Sequence, residues 1–213
     1  NRKARKSRRQ DRTGLPPGTL LNEPAAQRET SYELYEFSAD SYTEEHGAGL
    51  PDLAIFGEAD EGPGAGGRVI WLNVTGVESG ELLSRLGQSL GIHPVVLEDI
   101  QNTVQRPKCE EYEDFSFMVF RMLRRADTGQ TIGRGGMSGA IESEQISLLL
   151  GENYVISFQE RPGDVFGQVR NRIRSGKGRV RRQGADYLAY VLMDLVVDGY
   201  LLMLEDIEEE LED

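Results

Sequence analysis

Residues 91–115 read GIHPVVLEDIQNTVQRPKCEEYEDF. The other predicted elements lie before or after this stretch in the sequence. Pro94 suits the first turn of a helix because its missing N–H needs no partner there, and His93 can cap that helix. The apolar spacing lets the helix run to the residue before Pro107, which is biased away from helical geometry. The stretch therefore predicts one short helix followed by an acidic segment.

The residues before this helix alternate between extended and helical patterns. Residues 32–37 (YELYEF) predict a first strand, and residues 46–68 predict a connection rich in glycine and proline. Residues 68–74 (RVIWLNV) combine β-branched side chains with a tryptophan, which favours a buried strand. Residues 78–91 show a helical apolar period and end in a glycine that serves as a stop.

The residues after the short helix predict three strands and two helices. Residues 114–123 (DFSFMVFRML) indicate a strand, and residues 144–150 and 154–160 indicate a hairpin joined by a short turn. Helical patterns follow at residues 163–175 and 184–213. The last helix has no stop signal, and acidic residues stand at its end where the helix dipole disfavours them, so we expect it to continue beyond this chain.

These patterns divide the chain into three parts. Residues 1–20 predict a basic, disordered arm that ends in a Pro/Gly turn. Residues 21–162 predict an α/β head. Residues 163–213 predict a helical extension that ends in a truncated helix.

The charge of the chain is unevenly distributed. The net charge is −12, yet 14 of the 24 basic residues lie in residues 1–12 and 170–182. The remainder is strongly acidic, which makes the chain a poor general binder of nucleic acid. The basic segment 170–182 can contact phosphate or an acidic helix end; it has few of the interleaved aromatic residues typical of nucleic-acid binding.

The residue types exclude several classes of site. A single cysteine, Cys109, excludes an internal disulfide, and two histidines nearly exclude a zinc centre of several imidazoles. A bound metal would therefore rely on carboxylate oxygens, which suits hard cations such as Mg²⁺. The apolar tract 187–204 is broken by Asp194 and Asp198, so we expect no bilayer span; with no secretory signal, we expect a cytoplasmic location.

Three carboxylates stand out as candidate ligands, each beside a simpler interpretation. Glu98 and Asp99 point about 100° apart on a helix, so one cation needs a second structural element to contact both; otherwise they form a solvated turn. Asp194 lies in the apolar run VLMDLVVD and needs solvent, a cation or a metal; a polar interface is the alternative. The acids around Glu110 have no accompanying nucleophile, which argues against an enzyme.

Residues 92–123, IHPVVLEDIQNTVQRPKCEEYEDFSFMVFRML, resemble the signature of the cytoplasmic domain of the CorA family of divalent-cation channels. The similarity continues in the same order through GLPPGTL (14–20), WLNVTGV (71–77), ESEQISLLLGENYVISFQE (142–160), GDVFGQVRNRIR (163–174) and ADYLAYVLMDLVVDGY (185–200).

This resemblance implies a mixed β-sheet sandwiched by helices, an α/β/α head, followed by the start of a long stalk helix. In the family, the stalk helix leads to two membrane helices, and members assemble as homopentamers that pass Mg²⁺, often also Co²⁺ or Ni²⁺. Divalent ions bound between neighbouring heads hold the pore closed. By resemblance, Asp99 corresponds to the head carboxylate of that site, Glu98 to its neighbour, and Asp194 to the carboxylate of a second site.

The chain also departs from the family pattern. It lacks the Gly-Met-Asn motif of the pore mouth, both membrane helices and the stalk carboxylate that completes the site, so this chain alone is not expected to conduct. The resemblance implies a soluble sensing domain at the cytoplasmic face of the inner membrane, with no nucleic-acid partner. The zinc-transporting branch of the superfamily and a soluble scaffold protein that reuses the head fold are the alternatives.

Overall fold

A seven-stranded sheet forms the centre of the protein, and helices cover both of its faces. The computed structural model describes residues 14–21, 29–57, 67–125 and 141–212. The strands are β1 (Ser31–Phe37), β2 (Tyr42–Ala48), β3 (Val69–Thr75), β4 (Lys108–Glu111), β5 (Ser116–Arg125), β6 (Ile141–Leu150) and β7 (Tyr154–Gln159). The helices are α1 (Gly80–Leu90), α2 (Pro94–Gln101), α3 (Gly167–Ser175) and α4 (Ala185–Glu212).

The sheet is mixed. Its strand order is β2-β1-β3-β7-β6-β5-β4. The central pair β3 and β7 is parallel, and the other neighbouring pairs are antiparallel. The hairpin predicted at residues 144–150 and 154–160 is confirmed as β6 and β7.

Side-chain alternation along β3 supplies two separate cores. Ile70, Leu72 and Val74 point to one face of the sheet, whereas Val69 and Trp71 point to the other. A strand that is apolar on both faces must be covered on both, which explains why the sheet needs two helical layers.

The helices divide between these two faces. One core takes Leu83 and Leu86 from α1 and Val96, Leu97 and Ile100 from α2. The opposite core takes Val169 and Ile173 from α3 and Leu188, Leu192 and Val196 from α4. This layering confirms the predicted fold class, a mixed sheet sandwiched by helices with a long C-terminal helix.

The long helix α4 has two unlike halves. Its first half packs on the sheet, while Leu201, Leu202 and Leu204 in its second half are exposed. By length and composition alone, Ala185–Glu205 is long and apolar enough to cross a membrane, as the core helix of a soluble protein also can be. Burial of its inward face against the sheet accounts for the apolar residues of the first half. As predicted, the helix contains no stop before its last described residue, Glu212.

Strand β2 was missed by the sequence analysis. Its residues YTEEHGA overlap the start of the predicted connection at residues 46–68, and all of them are exposed or only half-buried. The strand is held by its pairing with β1 at the edge of the sheet and not by an apolar face. The rest of that connection contains a 3₁₀ turn at Leu53–Phe56, and residues 58–66 lie outside the described residues.

Helix α2 ends at Gln101, six residues before Pro107, so the predicted extension of this helix was wrong. Side chains from the sheet form hydrogen bonds with the backbone of residues 103 and 105, which a longer helix would have included. Arg121 donates to the Thr103 carbonyl at 2.9 Å, and the Gln105 N–H donates to a side-chain oxygen of Gln145 at 3.2 Å. The start of the helix is as predicted, since Nδ1 of His93 accepts from the Val95 N–H.

The N-terminal part of the chain is described from Gly14 onward. The predicted Pro/Gly turn is present, with the Thr19 N–H donating to the Pro16 carbonyl at 3.3 Å. The last residues of the predicted arm are hydrogen-bonded to α2, whereas residues 1–13 lie outside the described residues. The division at residue 162 stays a prediction; α3 and the first half of α4 share a core with the sheet.

Candidate cation sites

Asp99 lies near the end of α2, on the side of that helix that faces the edge strand β4. Its neighbours Leu97 and Ile100 are buried against the sheet, which fixes the direction of the Asp99 side chain. One carboxylate oxygen accepts from Nζ of Lys108 at 2.6 Å, and the other accepts from Nε2 of Gln105. Asp99 is therefore a partly buried carboxylate that already has a cationic partner.

Lys108, the first residue of β4, joins two carboxylates. Its ammonium group lies 2.6 Å from Asp99 and 2.9 Å from Oε1 of Glu110, and 5.4 Å from the ring centre of Phe117. Burial alone lowers the pKa of Lys108, but its bonds to Asp99 and Glu110 outweigh burial and raise that pKa above the ordinary lysine value. The side chain thus carries its positive charge at neutral pH.

Glu98 points away from Asp99 and anchors the N-terminal segment. Its Oε2 accepts from the backbone N–H of Gly18 at 2.6 Å. Gly18 has φ +81°, and an added Cβ would lie 2.8 Å from Cβ of Pro94, so only glycine fits this contact. Two neighbouring carboxylates on α2 therefore bind different partners, as their angular separation on a helix requires.

A second contact holds the same segment against α2. The side chain of Gln101 accepts from the Leu21 N–H at 2.8 Å and donates to the Leu21 carbonyl at 2.6 Å. Together with the bond to Glu98, this contact fixes the chain across the helix that carries Asp99.

Asp194 lies on the exposed face of α4, together with Asp198 one turn later. Within the described part of the chain neither residue has a hydrogen bond or an ion pair. The buried neighbours Leu192 and Val196 face the sheet, so Asp194 is directed to solvent. The sequence analysis left solvent, a cation or a metal as its partner, and in this single copy the partner is solvent.

The structure does not bring the three predicted ligands together. Asp99 and Glu98 lie on the layer formed by α1 and α2, whereas Asp194 lies on the layer across the sheet. Among residues 14–21, 29–57, 67–125 and 141–212 there is no group of three His, Cys, Asp or Glu side chains that could hold a metal ion. Within one copy, Asp99 and Asp194 therefore do not share a site.

A second polar cluster lies at the carboxyl end of β7, where α3 begins. Arg170 makes a two-pronged contact with Asp164 at 2.6 Å and also bonds to Glu33. Burial raises the pKa of Asp164, but the hydrogen bond and charge of Arg170 outweigh it and lower that pKa overall. Asn73 donates to Glu33 at 3.0 Å, which ties the cluster to β3. This network joins β1, β3 and α3 and serves the fold.

The basic segment 170–182 is partly used inside the head. Arg174 bonds to Glu44 on β2, and Arg181 donates to the Ser38 carbonyl at 2.8 Å. The hydrogen bond from Arg174 lowers the pKa of Glu44 to about 2. These arginines therefore stabilise the edge of the sheet, which reduces the positive charge available for a nucleic-acid contact.

Sequence reasoning missed Lys108, Gln105 and Gly18 as neighbours of the candidate ligands. Lys108 stands nine residues after Asp99, beyond the end of α2, so no helical spacing connects them. The available signal was that Lys108 is the one cation in an otherwise acidic run from residue 108 to 114.

The fold is shared with solved structures of one full-length protein and of two domains. Similar structures include the full-length CmaX protein (TM-score 0.63, 14% identity, 88% of this chain and 51% of that chain). The soluble domain of CorA from Methanocaldococcus jannaschii is also similar (TM-score 0.55, 17% identity, 84% of this chain and 61% of that chain). So is the ZntB cytoplasmic domain from Vibrio parahaemolyticus (TM-score 0.56, 14% identity, 85% and 64%). At these identities the similarity shows the fold alone.

Sequence similarity shows the family. Residues 66–213 match the family model of the CorA-like Mg²⁺ transporter protein. The chain is 37% identical over 199 residues to the cobalt/magnesium transport protein CorA of Thermotoga maritima, covering 93% of this chain and 52% of that protein. A putative metal ion transporter of Bacillus subtilis is 27% identical over 143 residues, or 66% of this chain and 40% of that protein. The chain belongs to the CorA family, as predicted, and spans about half the length of its Thermotoga relative.

Proposed function

We propose that this chain is the cytoplasmic, Mg²⁺-sensing domain of a pentameric CorA-type channel that transports Mg²⁺ and also Co²⁺ or Ni²⁺. Family membership and the 37% identity to the cobalt/magnesium transport protein of Thermotoga maritima support this function and favour the magnesium branch over the zinc branch. As a transporter domain the chain needs no catalytic residues.

One observation carries the proposal. Asp99 and Asp194 lie on opposite layers of one head, and among the described residues neither belongs to a group of three side chains that could hold a metal ion. A second copy of the chain supplies the missing side of each site, with Glu98 beside Asp99 as support. Sensing is then a property of the assembly, because the sites exist only where two heads meet.

The chemistry of the cation suits such a boundary. Mg²⁺ gives up its water reluctantly, so carboxylates on two neighbouring heads bind it largely through its water shell. A chain with a net charge of −12 repels its neighbours, and a divalent ion between two acidic faces removes part of that repulsion. Binding therefore favours the closed assembly at high internal Mg²⁺ and leaves a looser one when Mg²⁺ falls.

The second half of α4 supports an assembly attached to a membrane. Its exposed apolar side chains Leu201, Leu202 and Leu204 leave a face for neighbouring helices. An isolated helix seldom exposes this many apolar side chains to water without a partner. We place the head at the cytoplasmic face of the inner membrane, with other copies of the same chain as its partners.

The test is ion flux in the native protein that contains this chain, measured against internal Mg²⁺. Asp99→Asn and Asp194→Asn should each raise the Mg²⁺ concentration that halves the flux, and the double variant should raise it further. Glu81→Gln, an exposed carboxylate in the first turn of α1, is the matched control and should leave inhibition unchanged. Inhibition at the wild-type Mg²⁺ concentration in the double variant would remove both residues from the sensing site.

A further inference from the structure

The candidate ligand Asp99 already holds a cation, the ammonium group of Lys108. The two groups are 2.6 Å apart, and Lys108 is also 2.9 Å from Glu110. The side chains of Lys108 and Asp99 are 26% and 14% exposed, so the pair is sheltered but reachable from solvent. A hydrated divalent cation approaching Asp99 therefore meets a positive charge that is part of the protein.

We propose that Lys108 sets the affinity of the Asp99 site for divalent cations by occupying the carboxylate until a metal ion displaces it. This inference rests on the proposed function and adds to it a residue that determines how much Mg²⁺ the sensor requires.

The surroundings of Lys108 allow its ammonium group to leave Asp99 and still keep a partner. Glu110 keeps a second carboxylate within reach of the ammonium group, and Tyr112 donates to the other oxygen of Glu110 at 3.2 Å. The ring of Phe117 lies beneath the ammonium group as a further favourable contact. Lys108 can therefore move from Asp99 to Glu110 alone without being left unpaired.

Removing this charge should tighten metal binding. In the metal-free head, loss of the lysine leaves Asp99 and Glu110 without their shared cation, so a divalent ion gains more by binding. In the metal-bound head, it removes the repulsion between a unit charge and a divalent ion several ångströms apart. By Coulomb's law in water, removing that repulsion raises the affinity for the divalent ion about fivefold to tenfold.

The experiment measures protection of the native protein from limited proteolysis as Mg²⁺ is increased, in parallel with inhibition of flux. Lys108→Met should lower both Mg²⁺ midpoints about fivefold to tenfold. Lys108→Gln keeps a hydrogen-bond donor without the charge and should behave like Lys108→Met, which covers the case that the methionine variant fails to fold. Lys108→Arg keeps the charge and should stay near wild type, as should Lys177→Met, which removes an exposed lysine after α3.

The Asp99→Asn background separates this inference from the proposed function. If Lys108 acts through Asp99, adding Lys108→Met to Asp99→Asn should not lower the raised midpoint of the Asp99→Asn variant. Unchanged or higher midpoints for both neutral lysine variants, with Asp99→Asn still effective, overturn the role of Lys108 and leave the sensing site intact. An ineffective Asp99→Asn overturns the sensing site and the role of Lys108 with it.

Discussion

Asp99 and Asp194 are two carboxylates with the same proposed task in very different surroundings. Asp99 is 14% exposed and bonded to Lys108 and Gln105, whereas Asp194 is exposed and, within the described residues, has no bonded partner. A metal ion must displace a cation to reach Asp99 but only solvent to reach Asp194. We therefore expect the two proposed sites to respond to Mg²⁺ differently, with the threshold of the Asp99 site set by Lys108.

We expect the largest effect to be a difference in stability between variants on two faces of α4, the face packed on the sheet and the face that carries Asp194. Leu192→Ala removes a fully buried side chain from the core and should lower the free energy of unfolding by about 2–5 kcal/mol. Asp194→Asn, two residues later, should change it by less than about 0.5 kcal/mol. Urea unfolding of the two variants checks this. A large loss for Asp194→Asn would show that its carboxylate serves the fold.

The next effect concerns the segment clamped on α2 by Glu98. Gly18→Ala should lower the free energy of unfolding by about 1–2 kcal/mol, because Gly18 has φ +81° and its added Cβ would meet Pro94. Gly14→Ala is the matched control, since Gly14 also has a positive φ but open space around it. Equal losses in the two variants, measured by urea unfolding, would mean that the contact with Pro94 contributes nothing.

A smaller difference in unfolding free energy should distinguish Asp99 from Asp194 directly. Asp99→Asn removes a sheltered ion pair and should cost about 1 kcal/mol of unfolding free energy in the absence of divalent cations. Asp194→Asn should be neutral or stabilising by a few tenths of a kcal/mol, because it ends repulsion from Asp198 one turn away. Urea unfolding at low and high salt provides the measurement, and the difference should shrink as salt screens the charges.

The smallest expected effect is a change in the pKa of Glu110. The hydrogen bond from Lys108 lowers the pKa of Glu110, so Glu110 stabilises the fold above its ordinary pKa and loses that contribution as pH falls through the lowered value. In Lys108→Met the pKa of Glu110 should rise back toward the ordinary range, as followed by carboxyl NMR. An unchanged pKa would show that Lys108 does not hold this carboxylate in solution.

The sequence predicted the elements that carry an apolar period. Helices α1, α3 and α4 and strands β3, β5, β6 and β7 were all expected, because burial of one or both faces leaves a period of 3.6 or 2 in the sequence. Strand β2 was missed because it lies at the sheet edge with little apolar burial, so its pairing with β1 leaves no such pattern.

The surroundings of the candidate ligands were less predictable than the ligands themselves. Family resemblance indicated Glu98, Asp99 and Asp194, but the partners of the first two come from other segments. Lys108 reaches Asp99 only because α2 ends at Gln101 and the chain returns as β4. Gly18 reaches Glu98 across 80 residues of sequence. Contacts made by tertiary folding leave no local period, so only the structure reveals them.

The most direct test of the central claim is to locate the cation itself. Crystals of the native protein that contains this chain, soaked in Co²⁺ and measured at the cobalt absorption edge, give the positions of bound metal. We predict anomalous peaks near Asp99 and near Asp194, each at a boundary between two copies, with the Lys108 ammonium moved away from Asp99 toward Glu110. A peak ligated by side chains of one copy alone, or no peak near either carboxylate, would contradict a sensing site built between subunits.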